Sequence, residues 1–127
     1  MTENCIAPEV FDRLRKATAK NPAELAELCR DYLIEGRRTL AELRRALREC
    51  DPDRLGYHAH YLKGSSLVIG ATAVTQCCMG LEEMGRKDDF RGAELLLEQM
   101  AAALDSAEKT LSSKLGSAAL PAEGSAA

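Results

Sequence analysis

Apolar residues recur every three or four positions through most of this chain, and nowhere do they alternate with the period of two that marks a half-buried strand. Five helical segments follow from that pattern. Pro8 opens a short first helix, with Val10, Phe11, Leu14 and Ala17 at helical spacing. Asn21-Pro22 starts the second: Asn21 as N-cap, Pro22 in the first helical position, and Glu24 placed to complete a capping box. Its apolar positions Leu25, Cys29, Tyr32, Gly36, Leu40, Leu43, Leu47 and Cys50 step by three or four, while charged residues occupy the other side. Asp51-Pro52 repeats the start signal for a third helix, which should end near Gly70, a natural C-terminal cap. On it Leu55, Ala59, Leu62, Ser66 and Ile69 cluster on one side and form the inward stripe.

Thr72 is the expected cap of a fourth helix that turns Val74, Cys77, Cys78, Leu81 and Met84 inward. Asp88 or Asp89 is expected to cap a fifth, with Ala93, Leu96, Leu97, Met100, Leu104, Ala107 and Leu111 as its stripe. Short links between long amphipathic helices predict an all-α fold, an antiparallel four-helix bundle with a short extra N-terminal helix. The bundle domain is read as residues 1–115. From Gly116 onward the chain is small residues with Pro121 and Gly124, and a disordered tail is expected over 116–127.

The bulk properties narrow the picture. A chain of 127 residues fits one domain with one core. Hydrophobic residues make up 46% of it but aromatics only 4%, so the apolar content is chiefly Leu and Ala, as in a helical bundle. A net charge of −3 gives no bulk attraction to nucleic acid. No apolar run approaches the roughly 18 residues of a membrane span, and the N-terminus lacks a signal-peptide core. The expectation is a cytoplasmic monomer that engages neither nucleic acid nor membrane. The five cysteines (Cys5, Cys29, Cys50, Cys77 and Cys78) form an odd set without a CxxC pair. All but Cys5 fall within helical patterns where a small hydrophobe would serve, and no disulfide is expected.

The third helix also carries the candidate chemistry. His60, Lys63 and Gly64 lie three and four residues apart and share one side of it. His60 lies well over a quarter-turn from the centre of the core stripe, so it should be at least partly exposed. Beside it on the same face fall Gly56, Tyr57, Lys63, Gly64 and Leu67. Two glycines inside a helix cost about 0.5–1 kcal/mol each relative to alanine, which points to a need for an open surface around the imidazole. Leu67, apolar yet outward, marks a docking patch rather than a core. An imidazole with a cation beside it and no side chain one turn above suits a nucleophile for a large anionic electrophile. His58 and His60, two apart on a helix, point to opposite sides and cannot chelate one ion, so no metal site is expected. Asp88-Asp89 reads as a cap, and no nucleophile–base arrangement for hydrolysis is present.

The stretch Ala59-His60-Tyr61-Leu62-Lys63-Gly64-Ser65-Ser66, followed by Gly70-Ala71, resembles the signature of histidine-containing phosphotransfer (HPt) domains, intermediates of multistep His–Asp phosphorelays. The similar register runs from about Leu25 to Leu111 and takes in Cys77-Cys78-Met79-Gly80-Leu81-Glu82 and Arg86. The resemblance implies that His60 is the phosphoacceptor, that Lys63 lies near the phosphoryl oxygens and that Gly64 clears space beside the ring. It implies receiver domains of hybrid sensor kinases and response regulators as partners; Gly56, Tyr57 and Leu67, beside His60 on the outward face, are the candidate docking residues. It implies no cofactor in this chain; Mg²⁺ is expected on the partner receiver. The chain has no room for a kinase's catalytic and ATP-binding regions, so a free-standing phosphocarrier without kinase activity is expected.

An exposed imidazole, titrating near pH 6.5 in free solution, presents a nitrogen lone pair around neutral pH and can attack a phosphoaspartate in line. Arg37, Arg38, Arg44, Arg45, Arg48 and Arg54 are candidates for attracting an acidic receiver pocket, although their region also carries acids and a solvated charged face explains most of them. The alternative is a helical adaptor that regulates a receiver or kinase by binding, without phosphate. The intact set of His60, Lys63 and Gly64 argues against it.

Overall fold

A proline in the first turn of a helix lacks only an N–H that would have no helical partner, and three of the five helices start with one. The computed structural model describes residues 5–116. Its helices are α1 (Pro8–Ala17), α2 (Pro22–Arg48), α3 (Pro52–Ile69), α4 (Thr72–Lys87) and α5 (Ala93–Leu115). Helices α2 to α5 pack in a ring, each on the next and α5 back on α2, while α1 lies on α2 and α3. The short connections make successive helices antiparallel, which is the four-helix bundle with an extra N-terminal helix. Apart from Gly116, the expected tail lies outside the described residues.

The core follows the sequence periodicity closely on α3, where Leu55, Ala59, Leu62, Ser66 and Ile69 are all buried. Ser66 is tolerated there because its hydroxyl and that of Tyr32 hydrogen-bond at 2.7 Å across the α2–α3 interface. On α2 the buried stripe gains Leu33 and Ala46, and Leu47 is half-buried. On α4 and α5, Met84 and Leu96 sit at the edge of the core, and Ala103 joins it. Cys50 departs from the expectation: α2 ends at Arg48, and Cys50 is exposed in the following turn with a left-handed φ of 52°. The other four thiols are buried. Desolvation pushes Cys29 up to about 11 and Cys78 up to about 12, so both are packing groups rather than nucleophiles at neutral pH.

Three expected caps are built differently. Asp51 does cap α3, its carboxylate accepting from the Arg54 N–H at 3.1 Å, and Gly70 closes the helix with a φ of 88°. Asn21 precedes α2 as expected, but its side chain makes no cap hydrogen bond. The Asn21 carbonyl accepts from the Glu24 N–H instead, at 2.9 Å. Ala71 takes the cap position expected of Thr72, because Ala71 is pinned in an antiparallel bridge with Ile6. That bridge is the only extended pairing among the described residues, and so short a contact leaves no periodic trace in the sequence. Asp88 ends α4 in the left-handed region at a φ of 54°, and Asp89 pairs with Arg91 at 2.9 Å. Gly92, with a φ of 85°, then occupies the N-cap of α5.

Helices α3 and α4 meet most closely where both lack a side chain. A Cβ added at Gly85 would lie 2.7 Å from the Pro52 carbonyl oxygen and 3.0 Å from the Gly56 nitrogen. Backbone cannot swing aside as a side-chain tip can, so Gly85→Ala must force the two helices apart. Chemical denaturation should show a loss of about 1–3 kcal/mol for Gly85→Ala. Gly56→Ala is the control, because a Cβ there meets nothing within 4 Å. Equal stability of Gly85→Ala and the parent would place this contact elsewhere.

Candidate functional site

The tight α3–α4 seam brings a residue of α4 onto the outward face of α3. Glu82, three residues before Gly85, reaches across and bridges two side chains of α3. Its Oε2 lies 2.7 Å from Nδ1 of His60, and its Oε1 lies 2.7 Å from Nζ of Lys63. His60 is 70% exposed whereas Glu82 is 19% exposed, so the imidazole stands in solvent on a carboxylate that is mostly covered.

The charge state of Glu82 fixes the ring. Burial alone would raise its carboxyl, but the hydrogen bonds and positive charge of Lys63 and His60 outweigh this and hold it below the usual carboxylate range. An ionised carboxylate only accepts hydrogen bonds, so Nδ1 of His60 carries the proton and donates it. In the neutral ring the lone pair is then on Nε2, on an imidazole that stands mostly in solvent. Lys63 keeps a cation on the same side, held by the other oxygen of the same carboxylate.

The remaining predicted residues surround this group. Gly64 is exposed one turn beyond His60, and a Cβ there would meet nothing within 4 Å. Helix packing therefore does not require that glycine. At Gly56 the side-chain direction is equally open, although its backbone is the floor on which Gly85 rests. Tyr57 is exposed, with its ring edge-on to Tyr61 at 4.9 Å between centroids. Leu67 is 57% exposed, outside the core as expected. His58 faces another way: it is 21% exposed, with Nε2 3.9 Å from Glu42 of α2. Among the described residues no group of three or more His, Cys, Asp or Glu side chains gathers as a metal site.

Half of the arginine row is engaged within the protein. Arg37 bridges to Asp105 at 3.1 Å and Glu108 at 2.6 Å on α5, Arg38 to Glu35 and Arg45 to Glu49. Two features of the site escaped the sequence reading. Glu82 is one: it stands in the HPt-like stretch Cys77–Glu82, but nothing in the sequence ties it to His60. The other is an apolar groove of about 410 Å³ between α1, α2 and α3, lined by Leu14, Leu28, Tyr61, Leu62 and Val68 among others. Tyr61 and Val68 are exposed large apolar residues flanking the His60 face.

Comparison with known proteins bears on the family and the fold. The chain is 31% identical over 104 residues to multistep phosphorelay regulator 1 of Schizosaccharomyces pombe (strain 972 / ATCC 24843), a match covering 81% of this chain and 35% of that protein. The chain thus spans about a third of that relative's length. The fold is similar to the crystal structure of histidine-containing phosphotransfer protein B (HptB) from Pseudomonas aeruginosa PAO1. The TM-score is 0.82 and the identity 24%, covering 89% of this chain and 96% of that one. The model of the Hpt domain matches residues 27–110, from the first turns of α2 through most of α5, and the chain belongs to the Hpt domain family.

Proposed function

We propose that this protein is a phosphocarrier of a multistep His–Asp phosphorelay. It accepts a phosphoryl group from a receiver-domain phosphoaspartate on Nε2 of His60 and passes it to the aspartate of another response regulator. The observation that carries this reading is the 2.7 Å contact between Glu82 and Nδ1 of His60 on an exposed ring. An ionised carboxylate there favours the tautomer with the proton on Nδ1 and the lone pair on Nε2. As Nε2 forms its bond to phosphorus, the acyl-phosphate P–O bond breaks and the receiver aspartate leaves as a carboxylate. The transition state is loose and spreads charge over three equatorial oxygens. Lys63 supplies a cation on the carrier's side, and Mg²⁺ bound to the receiver would meet the rest of that charge. The carrier has no kinase activity of its own in this scheme and works as a monomer in the cytoplasm. Among the described residues no helix is long and apolar enough to cross a membrane.

Donor and acceptor receivers must reach the same nitrogen, so they share a surface. Gly56, Tyr57 and Leu67 lie on it, and exposed Tyr61 and Val68 extend it toward the groove. A few well-packed residues near the centre of an interface carry most of its energy. Leu67→Asp should weaken binding to both receivers by about tenfold or more while leaving the melting temperature unchanged. Unaltered affinity in titrations would take Leu67 out of the interface.

The direct test is incubation with phosphorylated receiver domains, followed by a second, unphosphorylated receiver. Acid-labile, base-stable label should appear on this chain and then move on. A chain that binds receivers yet never acquires label would be an adaptor instead.

A further inference from the structure

The carboxylate that orients the resting imidazole is still in place once the ring is phosphorylated, and there it acts on a different equilibrium. With the phosphoryl group on Nε2 and a proton on Nδ1, the ring is a cation. Breaking its N–P bond then releases neutral imidazole. If Nδ1 has lost its proton, the same bond must break to leave an imidazolate, a far poorer leaving group. In water that proton is lost as the pH rises. Here Nδ1 faces an anionic oxygen at 2.7 Å, on a side chain that is 19% exposed and tethered through its other oxygen to Lys63.

We propose that Glu82 is the positioning residue that makes the carrier a donor as well as an acceptor, by holding the Nδ1 proton on phosphorylated His60. The proposal rests on His60 being the phosphoacceptor. The step balances without any proton transfer. On acceptance the Nε2 lone pair forms the N–P bond, the receiver carboxylate departs, and the ring keeps Nδ1–H as a cation paired with Glu82. On donation the next receiver's aspartate oxygen attacks phosphorus, and the N–P electron pair returns to Nε2. Neutral imidazole with Nδ1–H is restored.

The surroundings leave this task to one group. From α4, Arg86 is engaged by Glu83, one residue beyond Glu82. From α3, Lys63 is bound to Glu82 itself, and the neutral rings of Tyr57 and Tyr61 flank the site. His58 is paired with Glu42 of α2. Among the described ion pairs, Glu82 is the single charged partner of His60. When Lys63 turns to the phosphoryl oxygens, the full charge of Glu82 falls on the ring.

Glu82→Gln tests this, because the amide oxygen can still accept from Nδ1–H while the charge is gone. Each protein is phosphorylated from a receiver, and donation to a fresh receiver is timed from about pH 6 to about pH 9. The receiver's own pH dependence is common to both proteins and cancels in the ratio of rates. The parent and variant should donate alike at the acid end, where water keeps both rings protonated. Loss of the charge should bring the alkaline fall-off of the variant down by about one pH unit, or about tenfold in rate at pH 8. Nitrogen-15 and phosphorus-31 NMR of the phosphorylated parent should show Nδ1 protonated at neutral pH. Superimposable pH profiles, or a phosphorylated parent ring without its Nδ1 proton at pH 7, would overturn the role of Glu82 and leave the carrier reading intact. A parent that takes no phosphoryl group on His60 would overturn both.

Discussion

Replacing His60 with glutamine should abolish phosphoryl labelling and leave the fold untouched. The amide of glutamine has no nucleophilic nitrogen, so the acyl phosphate of a receiver meets nothing that can open it. His60 is 70% exposed and takes no part in the buried stripe of α3, so circular dichroism and thermal melts should match the parent. Glu82 loses one hydrogen bond but keeps Lys63 at 2.7 Å, so its charge is not stranded. His58→Gln is the paired control. That ring is 21% exposed and directed at Glu42, away from the face that carries Lys63 and Gly64, and its loss should leave transfer unchanged. Phosphotransfer from a labelled receiver, scored for acid-labile and base-stable label, separates the two variants. Label retained on His60→Gln would assign the phosphoacceptor elsewhere.

How much of this was legible in the sequence depends on the distance over which each feature is encoded. His60, Lys63 and Gly64 lie within one turn of one helix, and helical geometry alone places them together. The buried stripe of α3 is equally local, and it matches residue for residue. Glu82 is 22 residues from His60. Its position depends on the register between α3 and α4, which the Gly85 contact with the Pro52 and Gly56 backbone sets and no periodicity reveals. The groove escapes for a similar reason, since its walls come from three helices. Caps divide along the same line. Asp51 bonds three residues ahead, as its sequence context predicts. Thr72 yields the cap to Ala71 because a strand-like contact with Ile6, far away in the chain, fixes where α4 begins.

Gly64→Leu should slow phosphotransfer severely while making the protein no less stable. Helical side chains lean toward the N-terminus and cover the turn before their own Cα, so a leucine at 64 would overhang the ring of His60. The electrophile is not a small molecule but a receiver pocket carrying a phosphoryl group, which must approach Nε2 in line. Displacing the reacting atoms by an ångström is enough to cost about a hundredfold in rate. Nothing in the fold opposes the substitution, because a Cβ at Gly64 finds open space out to 4 Å. Helix propensity favours it by several tenths of a kcal/mol, on the order of the Gly–Leu difference for an exposed helical site. Gly64→Ala, with one methyl group, should fall between the parent and Gly64→Leu in rate. Single-turnover transfer measured beside denaturant melts distinguishes the two reasons a glycine can stand in a helix. Parent-like transfer with reduced stability would make it a packing residue. Slowed transfer with equal or greater stability would show that the empty space over the imidazole serves the partner.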